Sequence, residues 1–302
     1  MGAMSEGRQL GLFDSPLRGD VSNDRRMMVW GFFALDTSRK SMDPIVYDDG
    51  LRRIEVKPSY SGMANVVDKD FIIYIASLMR EKMEKGERPA QKFTFTANDF
   101  CRVSGKVVGG SAYEQIRESI DRLQGTQIKT NIETGGEGED AWFSWISKAK
   151  INYRTTKDGK KSMRSITVEL CDWLYRAILH DDMMLTYNQR YFELAPLPRR
   201  IYEIARSHMG GNEGFRINLE SLKTHVGGST PLKGFKYLVK QLLEADNLPD
   251  FGIALANQKH LEAGPMEGSE RIPLKDVAVI FWRRSSGRPV DFTTLPFWNP
   301  EL

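Results

Sequence analysis

Apolar side chains recur at helical spacing through "KDFIIYIASLMREKMEKG" (69–86), and the run closes on a glycine. A second helical run, "PLPRRIYEIARSHMGG" (196–211), is opened by prolines and closed by Gly210. The segments downstream of the two runs are similar. "FTFTANDFCRVSG" (93–105) and "FRINLESLKTHVG" (215–227) both start with strand-like alternation, Phe93/Phe95 against Phe215/Ile217. Both then enter a short helix, with Phe100 matching Leu222, and end at Gly105 or Gly227, an offset of 122 without gaps. At the same offset "AYEQIRESIDRL" (112–123) meets "GFKYLVKQLLEA" (234–245). Tyr113, Ile116 and Ile120 then fall on Phe235, Leu238 and Leu242, one apolar stripe per helix. Strand-like sequence comes after: "TQIKTNIET" (126–134), "AWFSWISKAKINYR" (141–154) and "SMRSITVEL" (162–170) in the first copy, "DFGIALANQ" (250–258) and "DVAVIFWRR" (276–284) in the second.

Each copy therefore reads helix, short strand, helix, turn, helix, β-hairpin. That order is a winged helix, a helix-turn-helix with a β wing, whose third helix ordinarily lies in the major groove. The fold class expected is α+β: two tandem winged-helix domains preceded by a disordered N-terminal tail. The boundaries predicted are 1–27 for the tail, 28–194 for the first domain and 195–302 for the second. Phe192 and Leu194 are expected in a core. Trp173, Leu174 and Ile178 are expected to pack between domains. The aromatics near the end, Phe292, Phe297 and Trp298, either pack on a domain or bind a partner.

A length of 302 residues suits two domains. With 40% hydrophobic and 27% charged residues the composition is that of a soluble globular chain. No run is long enough to span a membrane, no apolar segment opens the chain, and two cysteines make no disulfide framework; a cytoplasmic protein without membrane contact is expected. A net charge of +3 is only mildly basic, but its distribution is uneven. Residues 147–165 carry Lys148, Lys150, Arg154, Lys157, Lys160, Lys161 and Arg164 against the single acid Asp158. This is either a solvated hairpin or a phosphate-facing wing. Such dense, flexible point charges suit backbone contact rather than base reading.

The candidate chemistry is mostly negative. "VSGKVVGGS" lacks the spacing of a P-loop. The four histidines are far apart, and no Cys/His cluster has zinc-ligand spacing. Asp181-Asp182 reads as a polar turn more readily than as a metal site. No cofactor, metal or catalytic residue is expected, and the chain is read as a non-enzyme. The third helices differ. In the second copy Lys233, Lys236 and Lys240 recur at i, i+3 and i+7 with no acid before Glu244. Ser229 and Thr230 precede them, where helix amides and the dipole favour phosphate. The first copy mixes Arg117 and Arg122 with Glu114, Glu118 and Asp121. The second helix is expected to be the main groove reader, with Arg117, Arg122 and the basic strands of the first copy as further DNA contacts.

Four strings, "VVDKDFIIYIAS" (66–77), "LQGTQIKTNIETGG" (123–136), "VELCDWLYRAIL" (168–179) and "LPRRIYEIARSHMG" (197–210), carry a resemblance to the replication initiator protein A family of plasmids. The resemblance runs from about residue 28 to about 245. It implies binding to double-stranded origin DNA of the iteron type, no nuclease or ATPase activity, and recruitment of host replication proteins such as a helicase or initiator. A homodimer is left open. In that setting "QLGLF" (9–13) looks like the peptide by which bacterial replication proteins bind the β sliding clamp. Leu10, Leu12 and Phe13 would fill an apolar pocket and Gln9 would bond its rim. The alternative is a winged-helix transcriptional repressor or autoregulator, which has no use for a clamp peptide.

Overall fold

A computed structural model describes residues 16–37, 43–48, 50–136, 138, 140–155, 159, 161–180, 183–266 and 272–298. The chain divides into two compact units, and the division differs from the expected one. The first takes the chain up to Asp24 and then Ser38–Tyr187; the second takes Arg25–Thr37 and Asn188–Leu302. The tail expected over 1–27 is thus already folded at its described end. Leu17 and Val21 are buried. The Leu17 amide donates to the Asp99 carboxylate at 3.2 Å and the Ser22 amide to Ser77 Oγ at 2.8 Å. β1 (Ser22–Asp24) pairs antiparallel with Met184–Thr186.

The next segment, α1 (Arg25–Val29) and the residues to Thr37, completes the second unit, burying Met27, Met28, Trp30, Phe32 and Phe33. Arg200 holds it there. The Arg200 guanidinium, 3% exposed, donates to the carbonyls of Met28, Val29 (2.7 Å) and His225 (2.7 Å), with Glu203 at 3.4 Å. Three carbonyls from two segments thereby find a charged donor in the interior.

In the first unit β2 (Ile45–Asp48) and β3 (Arg53–Lys57) precede α2 (Lys69–Glu84), β4 (Lys92–Phe95), α3 (Ala97–Val103) and α4 (Gly110–Gly125). There follow β5 (Gln127–Thr130), β6 (Ala141–Phe143), β7 (Ile146–Thr155), β8 (Lys161–Leu170), α5 (Asp172–His180) and β9 (Met184–Thr186). The sheet β4-β8-β7 with α2, α3 and α4 makes the winged helix. Its core is aromatic: Phe71 stacks on Phe100 at 4.1 Å and Tyr74 meets Phe95 edge-on at 4.9 Å. Thr96 caps α3 by accepting from the Asp99 amide.

Two expectations for this unit fail. The strand at 126–134 does not join the wing; β5 sits inside a separate sheet, β2-β3-β5-β6. The stretch 141–154 breaks into β6 and β7 because Trp145 turns fully inward between them. Trp173, Leu174 and Ile178 are buried within this unit: Trp173 stacks on Phe143 at 5.1 Å and its indole N–H donates to the Ile132 carbonyl at 3.0 Å.

In the second unit α6 (Pro196–Met209), β10 (Gly214–Asn218), α7 (Leu219–Val226), α8 (Leu232–Ala245), β11 (Phe251–Asn257) and β12 (Val277–Arg283) repeat the plan, with sheet order β10-β12-β11. β4 begins at Lys92 and β10 at Gly214, α4 at Gly110 and α8 at Leu232; both pairs lie 122 positions apart. Gly105 (φ 67°) and Gly227 (φ 83°) end α3 and α7 in the left-handed region that favours glycine. Phe192 and Leu194 are buried. The terminal aromatics divide: Phe292 and Trp298 are buried on this unit, while Phe297 is 44% exposed. The Trp298 amide donates to the Arg216 carbonyl at 2.7 Å and the Arg216 amide to the Pro296 carbonyl, which lays Pro296–Trp298 along β10. Among the described residues no helix is long and apolar enough to cross a membrane.

Candidate nucleic-acid interface

The packing of α8 decides which of its side chains are presented. Phe235, Val239 and Leu242 are buried; Leu238, expected in the stripe, is only half-buried. The core stripe therefore runs i, i+4, i+7. Opposite it, Lys233, Tyr237 and Gln241 are exposed at i, i+4, i+8, in one line along the helix. Lys236 and Lys240 lie half-buried beside this line. Burial, together with the neighbouring Lys240 charge, lowers the pKa of Lys236. An anion brought against the pair relieves that repulsion. The Gln241 amide donates to Tyr237 Oη at 3.2 Å.

Ser229 and Thr230 are exposed before the helix, and Pro231 at the N-cap supplies no side-chain cap. The leading amides of the first turn are left for an outside acceptor. Charge counting found the lysines but passed over Tyr237 and Gln241. Their signal was the i+4 spacing from Lys233.

The first unit sorts its basic residues differently. Arg122 is not an available contact. Its guanidinium donates Nε to Asp68 Oδ2 and Nη2 to Asp68 Oδ1, both at 2.8 Å, against a carboxylate with no exposure. The bond to Asp68 raises the Arg122 pKa. Arg117 is half-exposed but engaged: it donates to Glu114 at 2.6 Å and to Tyr153 Oη at 3.1 Å, and lies 5.5 Å from the Tyr153 ring centroid. A bulge at Asn152/Tyr153 interrupts the pairing of β7 with β8 at that point. The rest of the exposed side of α4 carries Glu114, Glu118 and Asp121.

On β7, Lys148 and Lys150 are exposed and alternate with Ala149 and Ile151. Lys148 stands opposite Glu169 across the ladder, and Arg154 is exposed past the bulge. Lys157 and Lys160 lie outside the described residues, and only the backbone of Lys161 is described. Gln9, Leu10, Leu12 and Phe13, and the pair Asp181-Asp182, also lie outside them.

Nothing comparable to a catalytic constellation assembles among the described residues. No group of three His, Cys, Asp or Glu is placed to hold a metal there. Cys101 and Cys171 are buried free thiols, and burial pushes Cys171 up to about 12, far from a reactive thiolate.

Comparison with known proteins places the chain in a family. The sequence profile of replication initiator protein A matches residues 22–253. A protein of Wigglesworthia glossinidia brevipalpis, named as a replication protein, is 35% identical over 211 residues, 69% of this chain and 76% of its own length. Among solved structures, domains 2 and 3 of RctB superpose with a TM-score of 0.59 at 15% identity, over 84% of this chain and 94% of that one. The Pi initiator protein in complex with iteron DNA gives a TM-score of 0.46 at 13% identity, over 72% of this chain and 90% of that one.

Proposed function

The chain belongs to the replication initiator protein A family, and on that footing we propose that it binds duplex DNA of a plasmid origin and recruits replication proteins there. The main reader is α8 of the second unit, docked in the major groove. The observation that carries this reading is the composition of its outward side: Lys233, Tyr237 and Gln241 exposed in line, Lys236 and Lys240 half-buried beside them, and no acid until Glu244. The lysines take phosphates, and the leading amides of α8, beside the exposed Ser229 and Thr230, take another. Gln241 has the paired donor and acceptor that match an adenine edge.

Lys148, Lys150 and Arg154, with Lys157, Lys160 and Lys161, hold backbone from the wing of the first unit. Arg117 supplements them, while Arg122 serves the fold. The peptide Gln9, Leu10, Leu12 and Phe13 binds the β sliding clamp. The chain acts as a binder rather than an enzyme.

The test is a salt titration on origin duplex with Lys233, Lys236 and Lys240 all replaced by Ala. Loss of three phosphate contacts flattens the slope of log K against log salt by up to about three units. An unchanged slope in the folded variant refutes α8 as the interface.

A further inference from the structure

The sheet β2-β3-β5-β6 belongs to neither winged helix, and duplex binding leaves it without a task. Its inward positions, Ile54, Val56 and Ile128, are buried. Its outer face carries one cross-strand row, in which Val46 pairs with Glu55, Glu55 with Lys129, and Lys129 with Trp142. Trp142 is 67% exposed, and the Lys129 ammonium sits 4.7 Å from its ring centroid. A cavity of about 250 Å³ opens beside the indole, lined by Glu55, Lys57, Gln127, Lys129, Trp142 and Ser144. Lys57 is more than half exposed, 3.3 Å from Glu55.

We propose that this face binds single-stranded DNA, with one unpaired base stacked on Trp142, its edge in the cavity, and the flanking phosphates on Lys57 and Lys129. The Lys129 ammonium lies over one face of the indole, and the ring, 67% exposed on a hydrogen-bonded strand, keeps its other face for stacking, which is open to any base. A paired base inside a duplex has both faces covered, so the ligand must be unpaired. The cavity supplies what a base edge needs: the Gln127 amide donates and accepts, the Ser144 hydroxyl does both, and Glu55 accepts from an exocyclic amine. Lys57 and Lys129 give the rim the charge that a phosphate backbone requires. A protein strand added to a sheet edge is disfavoured, because both edge strands are short templates, Ile45–Asp48 in β2 and Ala141–Phe143 in β6. The site lies wholly in the first unit and does not depend on α8, so the two readings fail separately.

The experiment measures anisotropy of a short labelled oligodeoxythymidine with the full chain, alongside origin duplex. Trp142→Ala is expected to weaken oligonucleotide binding about 5- to 150-fold, the equivalent of about 1–3 kcal/mol. Trp142→Phe should retain part of the affinity, and neither change should alter duplex binding or melting temperature. Lys57→Gln with Lys129→Gln should lower the salt slope on single strands by about 1.4 units. No oligonucleotide binding by the unaltered protein, or equal binding by Trp142→Ala, overturns the proposal. So does a change in self-association on Trp142→Ala with oligonucleotide binding intact, which would give the face to a second copy of the chain.

Discussion

Replacing Arg200 with Met tests whether Arg25–Thr37 is an integral part of the second unit. In the folded chain the guanidinium satisfies carbonyls of Met28 and Val29 from α1 and of His225 from the end of α7, and it neutralises Glu203. Met keeps most of the apolar stem and removes every donor. Three carbonyls lose a charged partner, each worth about 1–3 kcal/mol if left buried and unbonded. Glu203, 1% exposed, still accepts from the Tyr191 hydroxyl at 3.0 Å but loses the guanidinium charge. Relaxation and entering water reduce the sum, and breaking a buried pair on one side ordinarily costs about 3–5 kcal/mol. Against a total stability of about 5–15 kcal/mol, that is a large share.

Urea unfolding with hydrogen exchange on each segment reads the result. The expected outcome is a loss of about 3–5 kcal/mol in the second unit, loss of amide protection in α1 and the residues to Thr37, and unchanged protection in α2. Adding Glu203→Gln to Arg200→Met should recover part of the loss, because the orphaned charge is gone. Stability within about 1 kcal/mol of the unaltered protein, or intact protection over Arg25–Thr37, refutes the reasoning.

Two further outcomes concern His208 and the N-terminal peptide. His208 is half-buried beside Arg25, His225 and Arg200, and its pKa falls from 6.5 to about 3, with desolvation of the ring the main cause. The unfolded chain therefore binds the extra proton first, so stability is full above about pH 6.5 and declines by about 1.4 kcal/mol per pH unit as pH falls toward 3. His208→Asn should flatten the acid limb of a melting-temperature profile, and an unchanged limb would remove His208 as its cause. Leu12→Ala with Phe13→Ala should abolish clamp association in a pull-down with purified clamp, leaving origin binding and melting intact. A melting temperature several degrees lower would instead make these residues part of a core.

The repeat was legible because a winged helix writes its core into spacing that survives loss of sequence identity. Phe93/Phe95 and Phe215/Ile217 alternate, Gly105 and Gly227 need positive φ, and the intervals between them are held by short turns. The failures concern partners that lie far along the chain. The strand Gln127–Thr130 shows the same alternation whichever sheet it joins; its neighbour is Arg53–Lys57, and no local signal names that pairing over a wing. The apolar run "RRMMVWGFF" reads as the start of a first domain, and only Arg200 reaching the Met28 and Val29 carbonyls assigns it to the second.

Charge was the least legible quantity, because a formal charge says nothing about what already holds it. Arg122 looked like a DNA contact and is tied to Asp68, 54 positions away. Lys106 is tied to Asp70 at 2.5 Å, and Arg199 is spent on the carbonyls of Leu194 and Phe192. These residues add to the basic total without adding to any phosphate-facing surface. A net charge of +3 therefore neither supports nor opposes nucleic-acid binding. What distinguishes α8 is that burial of Phe235, Val239 and Leu242 aims Lys233, Tyr237 and Gln241 outward and leaves Lys236 and Lys240 half-exposed along the flank. The same logic gives Trp142 its meaning. Alternation along β6 turns Phe143 toward the Trp173 ring and leaves its neighbour on the opposite face, where a large apolar ring remains exposed unless a ligand covers it.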